Sequence, residues 1–290
     1  ARAAQINAGV WGNHVAVITG QNTVSGAAGQ NGSDDIQSHT AQPVSDASRP
    51  QFALDVSQLG GMYAGKITLI GTEAGLGVRN AGAIGASAGQ VLLSADGLLT
   101  NSGTIAASGT GQDVRIDTQG RGVDNSGTVV SQHDVHWVNA GAVRNSGTVS
   151  AAQELQVQAD SLDNSQGKLT AARLDIDAHS VTNTLGKISQ TGAQNLGISA
   201  QVLNNSTLNG QAGAIGAIPV TSIGNAESGI GAGAIVDLPS TAGNGGQTTV
   251  VTTTPDILAA GRIAVTGQID NAGGQIIANG QTDLDTSQSL

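Results

Sequence analysis

Apolar and polar residues alternate in short stretches along most of the chain. Examples are Val114-x-Ile116-x-Thr118, Val135-x-Trp137, Leu155-x-Val157-x-Ala159, Leu174-x-Ile176-x-Ala178, Leu196-x-Ile198-x-Ala200 and Ile263-x-Val265-x-Gly267. A period of two puts successive side chains on opposite faces of an extended backbone, so each stretch predicts a β-strand with one buried face. Residues 151–160 also have fair helix propensity, with Ala151, Leu155 and Ala159 at helical spacing. The sister stretches lack that spacing, and units that stack share one conformation, so the strand reading holds there as well.

A second motif follows each strand. Asn-small-Gly-x-aliphatic recurs at Asn80-Ala-Gly-Ala-Ile84, Asn101-Ser-Gly-Thr-Ile105, Asn125-Ser-Gly-Thr-Val129 and Asn145-Ser-Gly-Thr-Val149. Looser copies start at Asn164, Asn183, Asn205 and Asn271. From Asn80 to Asn205 the intervals are 21, 24, 20, 19, 19 and 22 residues. A repeat of about 20 residues is too short to close a core alone, and stacking coils at the ~4.8 Å strand spacing solves that problem. The pattern therefore predicts an all-β fold, a right-handed parallel β-helix with excursions from its coils.

Each coil should hold a strand such as 155–159, a short strand around Leu162, a turn at Asn164 and a third strand from near Leu169. The corner asparagines Asn80, Asn101, Asn125, Asn145, Asn164, Asn183, Asn205 and Asn271 should stack amide on amide. The glycine two residues later should supply an unusual backbone conformation. Leucine-rich repeats need Leu-x-x-Leu-x-Leu spacing, and calcium-binding nonapeptide repeats need Gly-Gly-x-Gly-x-Asp; neither pattern fits.

Composition sharpens this picture. Forty-three glycines stand against two Trp, one Tyr and one Phe, so small aliphatic side chains must form the core. All five prolines (Pro43, Pro50, Pro219, Pro239 and Pro255) fall outside residues 52–218, as expected where proline would delete a ladder donor. The expected organisation is coils over 1–80 with an excursion at 21–50, regular repeats over 81–209, an irregular segment at 210–261 and resumed repeats at 262–290. The 66 residues between Asn205 and Asn271 suit either degenerate coils or an extruded loop.

The net charge of −10 opposes binding to a phosphate backbone, which argues against nucleic acid as a partner. No run of 18 apolar residues suggests membrane insertion. The opening Ala1-Arg2-Ala3-Ala4 reads as the start of an excised internal segment. Cysteine is absent, which removes disulfides, thiolate nucleophiles and cysteine-based zinc sites. Such a chain also crosses an oxidising compartment unfolded without cross-linking.

At Ala53-Leu-Asp-Val56, Leu59-Gly-Gly-Met-Tyr-Ala-Gly-Lys-Ile67 and Leu69-Ile-Gly-Thr-Glu-Ala-Gly-Leu-Gly-Val78 the chain resembles the filamentous haemagglutinin family. The likeness is to the junction where the secretion domain of two-partner-secretion exoproteins passes into shaft repeats, and the Asn-Ser-Gly-Thr copies resemble that family's haemagglutinin repeats. The resemblance spans roughly residues 11–205 and resumes near Ile263. It implies export through an outer-membrane partner transporter and a secreted, cell-surface shaft. It also implies use as an adhesin or as carrier of a contact-dependent growth-inhibition toxin, with the receptor on a host or neighbouring cell engaged by other parts of the parent.

Candidate chemistry is sparse. No Gly-x-Ser-x-Gly elbow, phosphate loop or His-Glu-x-x-His is present, and neither catalytic nor cofactor-binding residues are expected. His133 and His136, read as one strand, point to opposite faces, so no metal is expected there. Trp137 fills the slot of Ile116, Val157 and Ile176 and should be core. Aligned coils put Asp113, Asp134 and Glu154 in one outward column followed by Arg173. Such a column could hold calcium, or act with Arg115 and Arg173 as the acid and base of a β-helix enzyme on acidic polysaccharide. A hydrated, salt-screened surface is the favoured reading of it.

Overall fold

The computed structural model describes residues 1–26, 36–41, 50–194 and 196–205, and the strands Asp256–Ala259, Ile263–Asp270, Gln275–Ala278 and Thr282–Asp285. Among the described residues there are 26 strands and no helix. Two units, Ala1–Val143 and Arg144–Leu290, are compact. Each is a parallel β-solenoid.

Three ladders build the first unit. Ala4–Ile6, Phe52–Val56, Gly77–Asn80, Leu99–Asn101 and Val123–Asn125 stack in parallel as the first. The second joins Gly61–Gly71 to Ala83–Ala86, Thr104–Ala107 and Thr128–Ser131. The third joins the far half of Gly61–Gly71 to Val91–Ala95, Val114–Asp117 and Val135–Val138. The long strand Gly9–Thr19 lies along the whole of Gly61–Gly71. Asn22–Gly26 and Ile36–Ala41 stand apart as an antiparallel pair in their own sheet.

In-register pairing turns the period-two alternation into aliphatic columns. Ile67, Val91, Val114 and Val135 form one, and Leu69, Leu93, Ile116 and Trp137 another. All eight are at most 2% exposed. Burying one such side chain stabilises by roughly 1.5–3 kcal/mol, and in a column each also covers its neighbours in the coils above and below. Trp137 is thus core, although its indole N–H is buried without a hydrogen-bond partner.

The second unit uses two ladders. Thr148–Ala151, Lys168–Ala171, Lys187–Gln190, Asp256–Ala259 and Gln275–Ala278 form one. Glu154–Asp163, Arg173–Thr182, Leu196–Asn204, Ile263–Asp270 and Thr282–Asp285 form the other. The strand expected at 155–159 and the short one expected around Leu162 are here one ten-residue strand. Lys187–Gln190 pairs directly with Asp256–Ala259. The rest of the irregular segment expected at 210–261, and Asn271, lie outside the described residues.

The corner glycines have a different role from the expected one. Gly82, Gly103 and Gly127 are not in the left-handed region. A Cβ on them would sit 2.1, 2.0 and 2.2 Å from the carbonyl oxygens of Gly60, Gly82 and Gly103. Coil-to-coil contact, not φ, requires glycine at these corners. Left-handed residues occur elsewhere: Gln119, Gly120 and Gly122 in one turn, Asn139 and Gly141 in the next, and Gln166 and Leu185 in the longer corners of the second unit.

Candidate functional site

Two polar constructions stand out, one buried and one on the surface. The buried one is made by the corner asparagines. In the first unit Asn80 Nδ2 donates to Asn101 Oδ1 at 2.7 Å, and Asn101 Nδ2 to Asn125 Oδ1 at 2.7 Å. In the second unit Asn145 donates to Asn164, Asn164 to Asn183 and Asn183 to Asn205, at 2.7, 2.7 and 2.8 Å. All seven are at most 1% exposed. The amide orientation is fixed because each nitrogen also faces carbonyls: Asn101 Nδ2 lies 3.3 Å from Thr128 O, where a flipped amide would set oxygen against oxygen. Asn80 Oδ1 is buried without a partner, and its register neighbour in the coil before is Val56. The first unit's ladder therefore ends at Asn80 on an aliphatic side chain.

The surface construction lies at the start of the strand Val135–Val138, in the first unit. Where the equivalent ladder positions carry Ala64, Ala86 and Ala107, this coil has Ser131. Its hydroxyl accepts the His133 N–H at 3.0 Å and donates to Gln112 O at 2.8 Å, folding the corner before the strand begins. His133 is therefore a corner residue. The opposite-face expectation for His133 and His136 fails for that reason, and the two rings converge on the same carboxylates.

Asp113 and Asp134 occupy successive coils. His133 Nδ1 is 2.7 Å from Asp113 Oδ1 and 3.1 Å from Asp134 Oδ2. A carboxylate can only accept, so this nitrogen is the donor. The Asp113 hydrogen bond raises the His133 pKa above its ordinary value, against the opposing effect of desolvation, and the charges of Asp134 and Asp113 add to the rise. His136 Nε2 lies 3.9 Å from Asp113 Oδ2 and 3.8 Å from Asp134 Oδ2. Glu154, in the second unit, faces Arg173 at 3.7 Å, and Arg173 also lies 3.7 Å from Asp175.

Elsewhere in the first unit, ion pairs again link residues a coil or more apart. Arg79 grips Asp55 with two contacts, 2.8 and 2.7 Å, while its guanidinium lies 4.9 Å from the Phe52 ring centroid. That grip holds the Asp55 carboxyl below its ordinary pKa, the hydrogen bond leading, burial opposing it, and the Arg79 charge and a Gln5 hydrogen bond assisting. Arg2 reaches Glu73 at 2.7 Å and Arg121 reaches Asp96 at 2.7 Å. Trp11 and Tyr63 stack in the open, ring centroids 5.9 Å apart.

Coils that join through parallel backbone ladders, aliphatic columns and buried amides define the class of repetitive parallel β-solenoids. Residues 1–107 match the family model of the TPS secretion domain, which carries the match through the first Asn-Ser-Gly corner and the strand Thr104–Ala107 after it. Through that segment the chain is similar to the filamentous haemagglutinin family of two-partner-secretion exoproteins. It is 47% identical over 129 residues to Toxin CdiA of Yersinia pestis, covering 44% of this chain and 4% of that protein. The identity is 42% over 104 residues to tRNA nuclease CdiA-2 of Burkholderia pseudomallei, covering 36% of this chain and 3% of that protein. With Toxin CdiA of Escherichia coli it is 27% over 183 residues, 58% of this chain and 6% of that protein. The chain thus spans a small fraction of the length of these curated relatives. No solved structure matches it.

Proposed function

We propose that this chain is a shaft segment of a secreted, cell-surface exoprotein that is exported through an outer-membrane partner transporter and carries an adhesin or a contact-dependent growth-inhibition toxin. One observation carries the reading: in both units the described coils join their neighbours through the same three devices, backbone ladders, aliphatic columns and buried asparagine amides. That arrangement extends each unit one coil at a time and gathers no acid–base pair of an enzyme around a substrate cleft among the described residues. The transporter follows from the TPS match over residues 1–107. Receptor contact and toxic activity belong to other parts of the parent, and no nucleic acid is a partner of this segment.

Removing a whole number of repeats tests it. Deleting residues 145–182, two coils, from the parent should leave export and display intact and shorten the shaft by roughly 10 Å, at ~4.8 Å per coil. Loss of export on that deletion, with export preserved when equal lengths are removed elsewhere, would contradict a passive shaft. The competing reading, a β-helix enzyme on acidic polysaccharide, predicts cleavage of polygalacturonate or alginate that disappears in Asp134→Ala. Its weakness is the base: Arg173 faces Glu154 and Asp175 rather than an open site.

A further inference from the structure

We propose that Asp113, Asp134 and His136 form a site for a first-row transition-metal dication of the zinc type, with His133 as the residue that positions its carboxylates. The ligand atoms of Asp113, Asp134 and His136 all lie within 4.8 Å of one another. The two contacts made by His136 Nε2, 3.9 and 3.8 Å, both go to Oδ2 atoms. Metal bonds of roughly 2.0–2.2 Å at tetrahedral angles set ligand atoms about 3.3–3.6 Å apart, so the two His136 edges need contract by only a few tenths of an ångström, and the carboxylate–carboxylate edge, within 4.8 Å, closes by rotation of the Asp side chains.

Three features separate this cluster from ordinary surface acids. The first is that the two carboxylates come from successive coils and are held together, since both contact one nitrogen, His133 Nδ1. The second is division of labour within Asp113. Its Oδ1 accepts from His133 Nδ1 at 2.7 Å and from the Asp134 N–H at 3.4 Å, while Oδ2 is turned to His136. That is the outer-sphere hydrogen bonding by which a ligating carboxylate is oriented. The third is partial enclosure: the Asp134 and His136 side chains are only 17% and 20% exposed. The cation next in register to His136 is Arg115, itself exposed.

The mixed nitrogen and oxygen donors decide the class of ion. Calcium and magnesium favour all-oxygen shells, whereas an imidazole with two carboxylates suits zinc and its neighbours. Bound there, the ion would tie the coil of Asp113 to the coil of Asp134 from outside. It would stabilise only folded coils, because the three donors are 21 and 2 residues apart in sequence and meet only after stacking.

The test is calorimetric titration of the full chain with zinc chloride, repeated with calcium chloride, and cobalt(II) absorption as a report of coordination. The expected result is one zinc per chain and visible cobalt bands of a four-coordinate site. His136→Ala and the isosteric Asp134→Asn should each weaken zinc by about 100-fold or more, since loss of an outer-sphere partner alone costs about 10–100-fold. His133→Ala should weaken it within that smaller range. His133→Asn, whose amide N–H can replace Nδ1–H, should recover most of the loss and so separate positioning from mere structure. His179→Ala is the control and should bind like the parent chain. Circular dichroism of each variant establishes that its coils are intact. Absence of zinc binding, zinc binding unchanged in His136→Ala, or calcium binding more tightly than zinc would each overturn the proposal.

Discussion

The two solenoid units reach the same coil by different routes. In the first, the strands Val114–Asp117 and Val123–Asn125 are separated by a turn in which Gln119, Gly120 and Gly122 have positive φ. Thr118 stitches that turn: its hydroxyl accepts from the Gly122 N–H at 3.2 Å and donates to Ala140 O at 3.1 Å. In the second unit the corresponding backbone runs through Glu154–Asp163 as one strand with no left-handed residue. The left-handed positions move instead to the asparagine corner, at Gln166 and Leu185. Where a coil uses left-handed backbone the sequence selects which corner takes it, and the coil from Asn80 to Asn101 closes without any. Asn-Ser-Gly-Thr corners have right-handed φ and need a glycine for contact, whereas Asn-Ser-Gln-Gly and Asn-Thr-Leu-Gly corners insert a residue that must turn the chain.

Substitutions at the two kinds of glycine should break this comparison most sharply. Gly103→Ala places a methyl 2.0 Å from Gly82 O and should destabilise by about 3 kcal/mol, the upper end for overpacking. Gly120→Ala faces open space at φ 81 and should lose only about 1 kcal/mol, the left-handed penalty. Repeat arrays unfold by segments, so amide exchange resolved by coil is the proper readout. Equal losses at the two glycines would erase the distinction drawn here.

Comparable in size is the asparagine ladder. Asn101→Leu removes one donor and one acceptor between two buried neighbours, and should destabilise by roughly 2–4 kcal/mol, since each orphaned buried group costs about 1–3. Asn80→Val should lose about half as much, because it also removes an acceptor that already has no partner and sits on Val56. Urea titration followed by circular dichroism checks the order; a larger loss at Asn80 would show that the ladder's end is not where it is placed.

A gain is expected in the second unit. Leu185 has φ 55, which asparagine tolerates better, so Leu185→Asn should stabilise by about 0.5–1 kcal/mol in the same titration. Destabilisation there would mean that the leucine's packing outweighs its backbone strain.

The smallest effect is the acid response of Asp55. Its folded pKa lies below the ordinary 3.8, so its pairing with Arg79 stabilises above that value and is lost as pH falls through the folded pKa. Melting temperatures from pH 6 down to about 2 should drop less steeply in Asp55→Asn than in the parent chain, by a margin kept modest by the exposure of Arg79. A parallel pair of curves would show that the grip contributes nothing measurable.

The parallel solenoid was legible because alternation and the asparagine interval repeat together, and because Trp137 fell in an aliphatic slot. What misled was local. Gly103 looks the same in sequence whether it is needed for φ or for contact. His133 reads as strand because the alternation from Val135 extends naturally backwards, although a polar Ser131 following alanine at the matching positions of earlier repeats hints at a hydrogen-bonded corner. The second unit's merged strands were hidden too, since a strand that bends without glycine leaves no compositional trace.

The asparagine ladders have one further property. In both units the side-chain amides of Asn80, Asn101, Asn145, Asn164 and Asn183 donate toward the coil that follows in sequence. Their dipoles therefore add instead of cancelling, and each stack acquires a head and a tail. A newly emerging coil meets an N–H already pointing at the place where its own Oδ1 must settle, so growth toward the C-terminus is templated while growth toward the N-terminus would meet a bare oxygen. Within each stack, then, the next coil toward the C-terminus finds its place already marked, whereas a coil added at the other end does not.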